Sequence, residues 1–281
     1  MPSAVVESRS DEVVEIRPNK GFVSLRLGEF WAYRDLLREM IARDMLARYK
    51  QSFLGKAWVI VQPLTLMTLY YFIFGVILEL KTGVVPFPVF LLGGVLIWQL
   101  VAASATNISY SMVSNAHLMN KVYFPRLLIP VSQSVAAVVD FAFGLLVLAG
   151  FMAVARVALP PQALLAPLFV VYAIVTGMAL GLWLAPLNVK YRDIGQAVPL
   201  VLQVFMYASP VFYSPTLVPE QWRSLYYLNP GAGIIQGFRW SLMGDVPPEP
   251  IAWVCPLLVA ALFLSGLYFF RSREAELVDD L

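Results

Sequence analysis

Six apolar blocks, each long enough to cross a lipid bilayer as a helix, constrain this chain more than any other feature. A helical span needs about 20 predominantly apolar residues, and 59% of the 281 residues are hydrophobic whereas 14% are charged. Inside lipid, backbone polar groups must be satisfied within the segment, so the blocks are predicted to be helices. We therefore expect an all-α integral membrane protein with six transmembrane helices. The blocks are Ala57–Leu80, Pro88–Tyr110, Leu127–Ala153, Ala163–Leu187, Gln196–Tyr213 and Ile251–Phe270.

Lysine and arginine are divided unevenly between the two ends of these blocks, which predicts the orientation of the chain. Of the 20, 16 lie before the first block, after the last, or in the connections that follow blocks two and four. Connections rich in these residues stay in the cytoplasm, so both termini are expected there. The predicted organisation is a cytoplasmic tail (1–29), an amphipathic interface helix with an entrance turn (30–56), a six-span domain (57–270) and a cytoplasmic C-terminal tail (271–281).

An amphipathic helix is predicted immediately before the first block. Tyr33, Leu36, Leu37, Met40 and Ile41 recur at helical spacing and form one apolar face. The opposite face carries acid–base pairs three or four residues apart, each a modest stabiliser of the helix. Such a helix suits the headgroup boundary of a membrane. It is either a plain anchor or an anchor that also docks a cytoplasmic partner.

Two short cytoplasmic connections contain motifs that tight loops do not need. Segment 114–126 ends in Phe-Pro-Arg, and segment 188–194 contains Tyr-Arg-Asp. Their basic residues could simply bind anionic lipid headgroups. The sharper hypothesis is that both connections transmit force from a motor protein.

The longest connection, 214–250, lies on the opposite side and is unusually apolar. Proline and glycine bound two helix-like runs within it, Glu220–Leu228 and Ile234–Met243. Two short helices that dip back into the outer leaflet as a re-entrant hairpin explain this composition, because irregular backbone at that depth is tolerated when protein surrounds it. The alternative is an interfacial lid that only packs against the bundle.

A few residues limit the chemistry of the chain. One cysteine, Cys255, excludes an internal disulfide, and one histidine excludes a His-cluster metal site. No Gly-x-x-x-x-Gly-Lys-Ser/Thr phosphate loop occurs in the sequence. Asp140 is the only ionisable residue deep in a block. It either takes part in the function of the protein or has a structural role, in which it pairs with a hydroxyl or an amide. Gly177-x-x-x-Gly181 predicts close helix packing within one subunit.

Four motifs follow one another along the chain and carry a family resemblance. They are Arg48-Tyr49-Lys50-Gln51-Ser52-x-Leu54-Gly55 with Trp58 and Pro63, then Tyr123-Phe124-Pro125-Arg126-x-x-x-Pro130, then Asn188-Val189-x-Tyr191-Arg192-Asp193-Ile194 with Ser209-Pro210-Val211-x-Tyr213, and last Asn229-Pro230 with Ile235 and Arg239. Together they resemble the permease subunit of ABC-2-type (type V) exporters of O-antigen, teichoic acid and capsular polysaccharide. The resemblance runs from Tyr33 to Arg273.

The resemblance implies a homodimeric permease in the cytoplasmic (inner) membrane of a bacterium. It would export an undecaprenyl-type lipid-linked polysaccharide, with two nucleotide-binding subunits that hold ATP and Mg. We expect neither a cofactor nor a metal in this chain, and no nucleic acid as a partner. Membrane lipids are expected to be partners. By residue match, ATPase coupling is assigned to Arg38, Arg43, Arg48, His117, Lys121, Tyr123, Lys190, Tyr191, Arg192 and Asp193. The substrate entrance is assigned to Tyr49, Leu54 and Gly55, and the outer gate to Trp222, Tyr226, Tyr227, Asn229, Pro230 and Arg239.

The permeation path of such an exporter is expected to be aromatic and polar but largely uncharged. A sugar polymer stacks on aromatic faces and forms many weak hydrogen bonds. The candidates are Tyr70, Tyr71, Phe74, Trp98, Asn107, Tyr110, Gln203 and Tyr207. Aromatic residues that face lipid or pack against a neighbouring helix would produce the same pattern.

Two other functions remain open. The first is an ABC-2 permease for a drug or small lipid, which shares the topology but generally lacks the first and third motifs in combination. The second is a membrane-embedded glycan-processing enzyme, which needs clustered carboxylates or metal ligands at one membrane face. Most of the Asp and Glu residues here are scattered through the tails and the surface helix, and none of the others form a cluster in the sequence.

Overall fold

The computed structural model describes residues 31–49, 57–80, 85–119 and 124–274, and their regular structure is helical. A π-helical segment, Tyr71–Ile77, directly follows the helix Trp58–Tyr70. The helices are α1 (Arg34–Tyr49), α2 (Trp58–Tyr70), α3 (Phe87–Ser114), α4 (Ala116–Met119), α5 (Leu128–Val154), α6 (Ala166–Lys190), α7 (Asp193–Tyr207), α8 (Glu220–Tyr226), α9 (Pro230–Met243) and α10 (Cys255–Arg273). We call the end of the bundle at which α3 ends and α5 begins the proximal end, and the opposite end the distal end.

The bundle is built around α3, which packs most extensively against α5 and α6. Two glycines of α6 allow this approach: a Cβ added to Gly177 would lie 2.5 Å from Cβ of Ser104, and one added to Gly181 would lie 2.5 Å from Cβ of Ile108. Because such distances are far inside van der Waals contact, only glycine fits at either position. The predicted Gly-x-x-x-Gly packing within one subunit is therefore present.

Among the residues that the structure describes, five helical segments are long and apolar enough to cross a membrane. They are Ile60–Ile77, Phe87–Ser114, Leu128–Val154, Pro161–Lys190 and Pro250–Arg273. The fifth predicted block behaves differently, because α7 has 15 residues and would extend only about 22 Å at 1.5 Å per residue. Its chain turns at Ser209–Val211 rather than continuing to Tyr213. The all-α membrane fold is confirmed, whereas the count of six spans stays a prediction.

Helix α1 lies across the proximal end and packs against α5. Met40 is 2% exposed and belongs to a buried cluster with Met112, Leu128 and Phe270, against which Tyr33 also packs. The apolar face of α1 is turned toward the helix bundle, because the ends of α3, α5, α6 and α10 offer it an apolar surface. Its position at the lipid headgroups stays a prediction.

The distal end is covered by α8 and α9, within the segment 214–250 predicted to form a hairpin. Most of α9 is buried, and it packs between α3 and α6. Gly237 permits that contact, because a Cβ added there would overlap the ring of Phe169. Gly244 ends α9 in a left-handed conformation, with φ of 72°, which favours glycine.

Candidate functional site

A cavity of about 660 Å³ opens between four helices in the middle of the bundle. Helices α2, α3, α5 and α7 each contribute to its wall. The residues with aromatic or polar side chains are Trp58, Gln62, Tyr70, Trp98, Gln99, Thr106, Asn107, Asp140, Phe141 and Gln203. Apolar side chains, such as Leu66, Leu96 and Met206, complete the lining.

The wall combines aromatic rings with hydrogen-bonding groups. Tyr70 and Trp98 are 7% and 5% exposed, so packing fixes their rings. Asn107 supplies an amide nitrogen that is buried without a hydrogen-bond partner. A buried donor of this kind is costly unless a ligand or water satisfies it. Rings and amides together suit a neutral polyhydroxylated ligand, because rings stack on sugar faces and amides both donate and accept.

Asp140 lies in this wall, on α5. The sequence left its role open between function and structural pairing. Of the described residues that line the cavity, it alone has a carboxyl group. The structure thus places the one acid found deep in an apolar block in the same cavity wall as the amides of the candidate site.

Four of the eight predicted path residues line the cavity: Tyr70, Trp98, Asn107 and Gln203. The other four lie outside its lining. Tyr71 is 39% exposed and its ring lies 6.2 Å from that of Phe87. Tyr110, 38% exposed, lies near Gly195 at the proximal end.

The remaining two, Phe74 and Tyr207, meet at a residue that sequence reasoning missed. Phe212 is 1% exposed and stacks on Phe74 at a centroid distance of 4.9 Å. Its ring also lies 4.3 Å from that of Tyr70 and 5.4 Å from that of Tyr207. Phe212 occupies the unspecified position of the motif Ser209-Pro210-Val211-x-Tyr213, so only its aromatic character could have identified it.

Arg239 joins the predicted gate to the transmembrane helices. It is 1% exposed, and its guanidinium donates from Nε to the carbonyl of Phe90 at 2.9 Å, from Nη1 to that of Pro210 at 2.6 Å and from Nη2 to that of Val211 at 2.6 Å. Burial lowers the pKa of Arg239 to about 9, and the charge of Asp245 acts in the opposite direction. The group therefore stays protonated at neutral pH and holds α3, α9 and the turn after α7 together.

Hydrogen bonds also hold several of the other predicted gate residues at the distal end. Tyr227 donates to Gln236 Oε1 at 2.6 Å, while Asn229 accepts from the amide of Gly231 and donates to Ser209 Oγ. Pro230 occupies the first turn of α9, which it suits because it needs no amide donor.

The gate tyrosines are neutral hydrogen-bonding groups. Tyr226 donates to the hydroxyl of Tyr213 at 3.4 Å, and burial is the main cause that raises its pKa well above the ordinary value. Burial also raises the pKa of Tyr227. Trp222 differs from both, because 55% of it is exposed.

The predicted ATPase-coupling residues lie at the proximal end where the structure describes them. Lys190, Tyr191, Arg192 and Asp193 form an exposed corner between α6 and α7. His117, on α4, is exposed as well. Arg38 is also exposed and lies 3.6 Å from Asp35. Arg43, whose side chain is 48% exposed, is hydrogen-bonded to other residues of the chain, as described below.

Several predicted residues cannot be placed. Lys121, Tyr123, Leu54 and Gly55 lie outside the described residues, as do the side chains of Arg48 and Tyr49. Within the described part of the chain, no group of three His, Cys, Asp or Glu side chains could hold a metal ion.

Comparison with known proteins gives this arrangement a family context. Residues 35–243 match the sequence profile of the ABC-2 type transporter family. An O-antigen export system permease protein RfbA of Klebsiella pneumoniae is 30% identical over 249 residues, covering 87% of this chain and 95% of the relative. The protein of the same name from Myxococcus xanthus is 29% identical, covering 88% and 95%. The inner membrane transport permease YadH of Escherichia coli strain K12 is 28% identical, covering 74% and 86%.

Proposed function

Because the chain belongs to the ABC-2 type transporter family, we propose that it is the permease subunit of an exporter for a lipid-linked polysaccharide of the O-antigen class. Membership of this family makes it a multi-pass inner-membrane transport subunit rather than an enzyme, and implies an ABC ATPase as its partner. The assignment of a lipid-linked polysaccharide as the cargo is part of the proposal.

The observation that carries the proposal is the composition of the cavity. Tyr70 and Trp98 offer fixed ring faces, while Asn107 and Gln203 offer amides on the facing helices α3 and α7. A pump for apolar drugs does not need these amide groups. A glycan chain, by contrast, can hydrogen-bond to the amides and stack on the rings at the same time. The names of the relatives from Klebsiella pneumoniae and Myxococcus xanthus point to the same cargo.

The proposed assembly is a homodimer with two ATPase subunits, which bind ATP and Mg. We place both termini in the cytoplasm, so that the proximal end faces the ATPase. The exposed corner Lys190–Asp193 supports this placement, because charged and aromatic side chains there are free to meet another protein. The carrier is taken to be an undecaprenyl-type lipid, which stays in the bilayer beside the cavity while the sugars enter it.

Within this proposal the chain performs two tasks. The cavity wall binds successive sugars weakly, by stacking and by hydrogen bonds that the next sugar can replace. The distal hairpin, which Arg239 holds against α3, closes the route between transport events, since a path wide enough for a polymer would otherwise leak ions. Both tasks need rigid side chains, which the burial of Tyr70, Trp98 and Arg239 provides.

Deletion of the gene in its own host tests the proposal. The expected result is loss of the surface polysaccharide and accumulation of the lipid-linked glycan inside the cell. Complementation with Tyr70→Ala should restore export only partly, whereas the control Tyr268→Ala, which changes a 62% exposed tyrosine of α10, should restore it fully. Normal surface glycan in the deletion strain, or accumulation of a drug or small lipid instead, would contradict the proposal.

A further inference from the structure

A chain of hydrogen bonds at the proximal end connects α1 to both helices that flank the α3–α5 connection. Arg43 Nη2 donates to Asn115 Oδ1 at 2.6 Å, and the same nitrogen lies 2.8 Å from Asp44 Oδ1. The other oxygen of that carboxylate, Oδ2, accepts from Gln133 Nε2 at 2.5 Å. Two adjacent residues of α1 thus contact one residue at the end of α3 and one in the first turns of α5.

The chain is anchored in the backbone of α3. Asn115 ends that helix and is 6% exposed, and its Nδ2 donates to the carbonyl of Ser111 at 2.9 Å. The side chain of Asp44 is only 17% exposed. The bonds from Arg43 to Asn115 and from Gln133 to Asp44 are partly buried and each has one charged partner. Such hydrogen bonds are short and directional, so they resist displacement of α1 relative to α3 and α5.

The two helices joined in this way also line the cavity. Asn107 precedes Asn115 by two helical turns, and Asp140 follows Gln133 by two turns. At 1.5 Å per residue, the hydrogen-bond chain is about 10–12 Å along each helix from the cavity wall. A displacement of α1 can therefore be transmitted to the cavity wall over a short distance, through the rigid helices α3 and α5.

We propose that Arg43 and Asp44 are positioning residues that clamp α1 to α3 and α5, so that an ATPase pushing on α1 moves both cavity-lining helices together. The inference rests on the proposed function, because it assumes an ATPase at the proximal end. It changes the role of Arg43, which the family resemblance assigned to ATPase contact. Its guanidinium is hydrogen-bonded to Asp44 and Asn115, although 48% of the side chain is exposed.

The first measurement is the ratio of glycan exported to ATP hydrolysed by the complete permease–ATPase complex in proteoliposomes. Asp44→Asn should lower this ratio by roughly threefold or more while the complex still assembles and hydrolyses ATP. The matched control is Asp35→Asn on the same helix, which removes a 75% exposed carboxylate and should leave the ratio unchanged. The double variant Asp44→Asn with Gln133→Glu exchanges amide and carboxylate, and should restore part of the ratio.

The second measurement is hydrogen exchange in the purified permease without ATPase. Asp44→Asn should raise the exchange of α1 amides but not of α6 amides. An unchanged ratio, an unchanged exchange rate, or loss of ATPase binding by Asp44→Asn would each overturn the clamp. Failure of the wild-type protein to bind any ATPase would instead contradict the proposed function, and the exchange experiment would still decide whether α1 is clamped.

Discussion

The guanidinium of Arg239 lies flat enough on Phe90 that its Cζ is 3.4 Å from the ring centroid, while its Nε donates to the carbonyl of that same residue. One side chain of α9 therefore uses both the ring and the backbone of one residue of α3. Cation–π contact and charge-assisted hydrogen bonds reinforce each other where water is absent. This pair holds the distal hairpin against the central helix.

Replacing Arg239 should destabilise the protein strongly. Arg239→Met removes the guanidinium donors from three buried carbonyls, and we expect a loss of roughly 3 kcal/mol or more in the free energy of unfolding. Arg239→Lys should recover only part of it, because one ammonium cannot reach three carbonyls in different directions. Thermal unfolding in detergent measures the effect, with the exposed Arg34→Lys as control. Equal stability of Arg239→Met and wild type would show that the contact is dispensable.

Adding one methyl group to Gly181 should force α3 and α6 apart. The new Cβ of Gly181→Ala would overlap Ile108, and overpacking of this kind costs about 1–3 kcal/mol. Gly150→Ala is the matched control, because a Cβ there meets no atom within 4 Å, and alanine favours the helix. Melting temperatures should fall for the first variant and stay level or rise for the second. The opposite order would be incompatible with the packing described.

Charge reversal at the proximal corner should weaken ATPase docking without unfolding the permease. Arg192→Glu and Asp193→Lys change exposed side chains, so the fold should tolerate both. Pull-down of the ATPase and glycan export should fall together. Glu220→Lys, an exposed reversal at the distal end, serves as the control. If the corner variants assemble and export like wild type, these residues have no part in coupling.

Cross-linking the distal hairpin should arrest export reversibly. A cysteine at Trp222, the exposed gate position, is paired with one on the second subunit of the proposed dimer. Cys255 must first be removed, and Cys255→Ser is preferable to alanine because Sγ is buried and donates to the carbonyl of Tyr227. Oxidation should stop export and reduction should restore it. Full export by the cross-linked protein would show that the hairpin is only a lid and does not act as a gate.

Hydropathy, motif order and the Gly177-x-x-x-Gly181 pattern determined the fold class, the family and the presence of a close helix approach on α6, whereas the structure identified α3 as the partner. These follow from segment length, from the cost of burying backbone in lipid and from the absence of a side chain on glycine. The amphipathic face of α1 was also predictable, because polar and apolar residues alternate with the helical period there.

Only the tertiary structure decided which side chains meet. Tyr70 and Tyr71 are adjacent and chemically alike, yet one lines the cavity and the other packs beside Phe87. Arg43 resembles the exposed Arg38 in sequence but is held by Asp44 and Asn115. The physical reason is that lipid and protein interior are equally apolar, so hydropathy does not distinguish the two faces of a membrane helix. Packing against neighbouring helices makes that distinction.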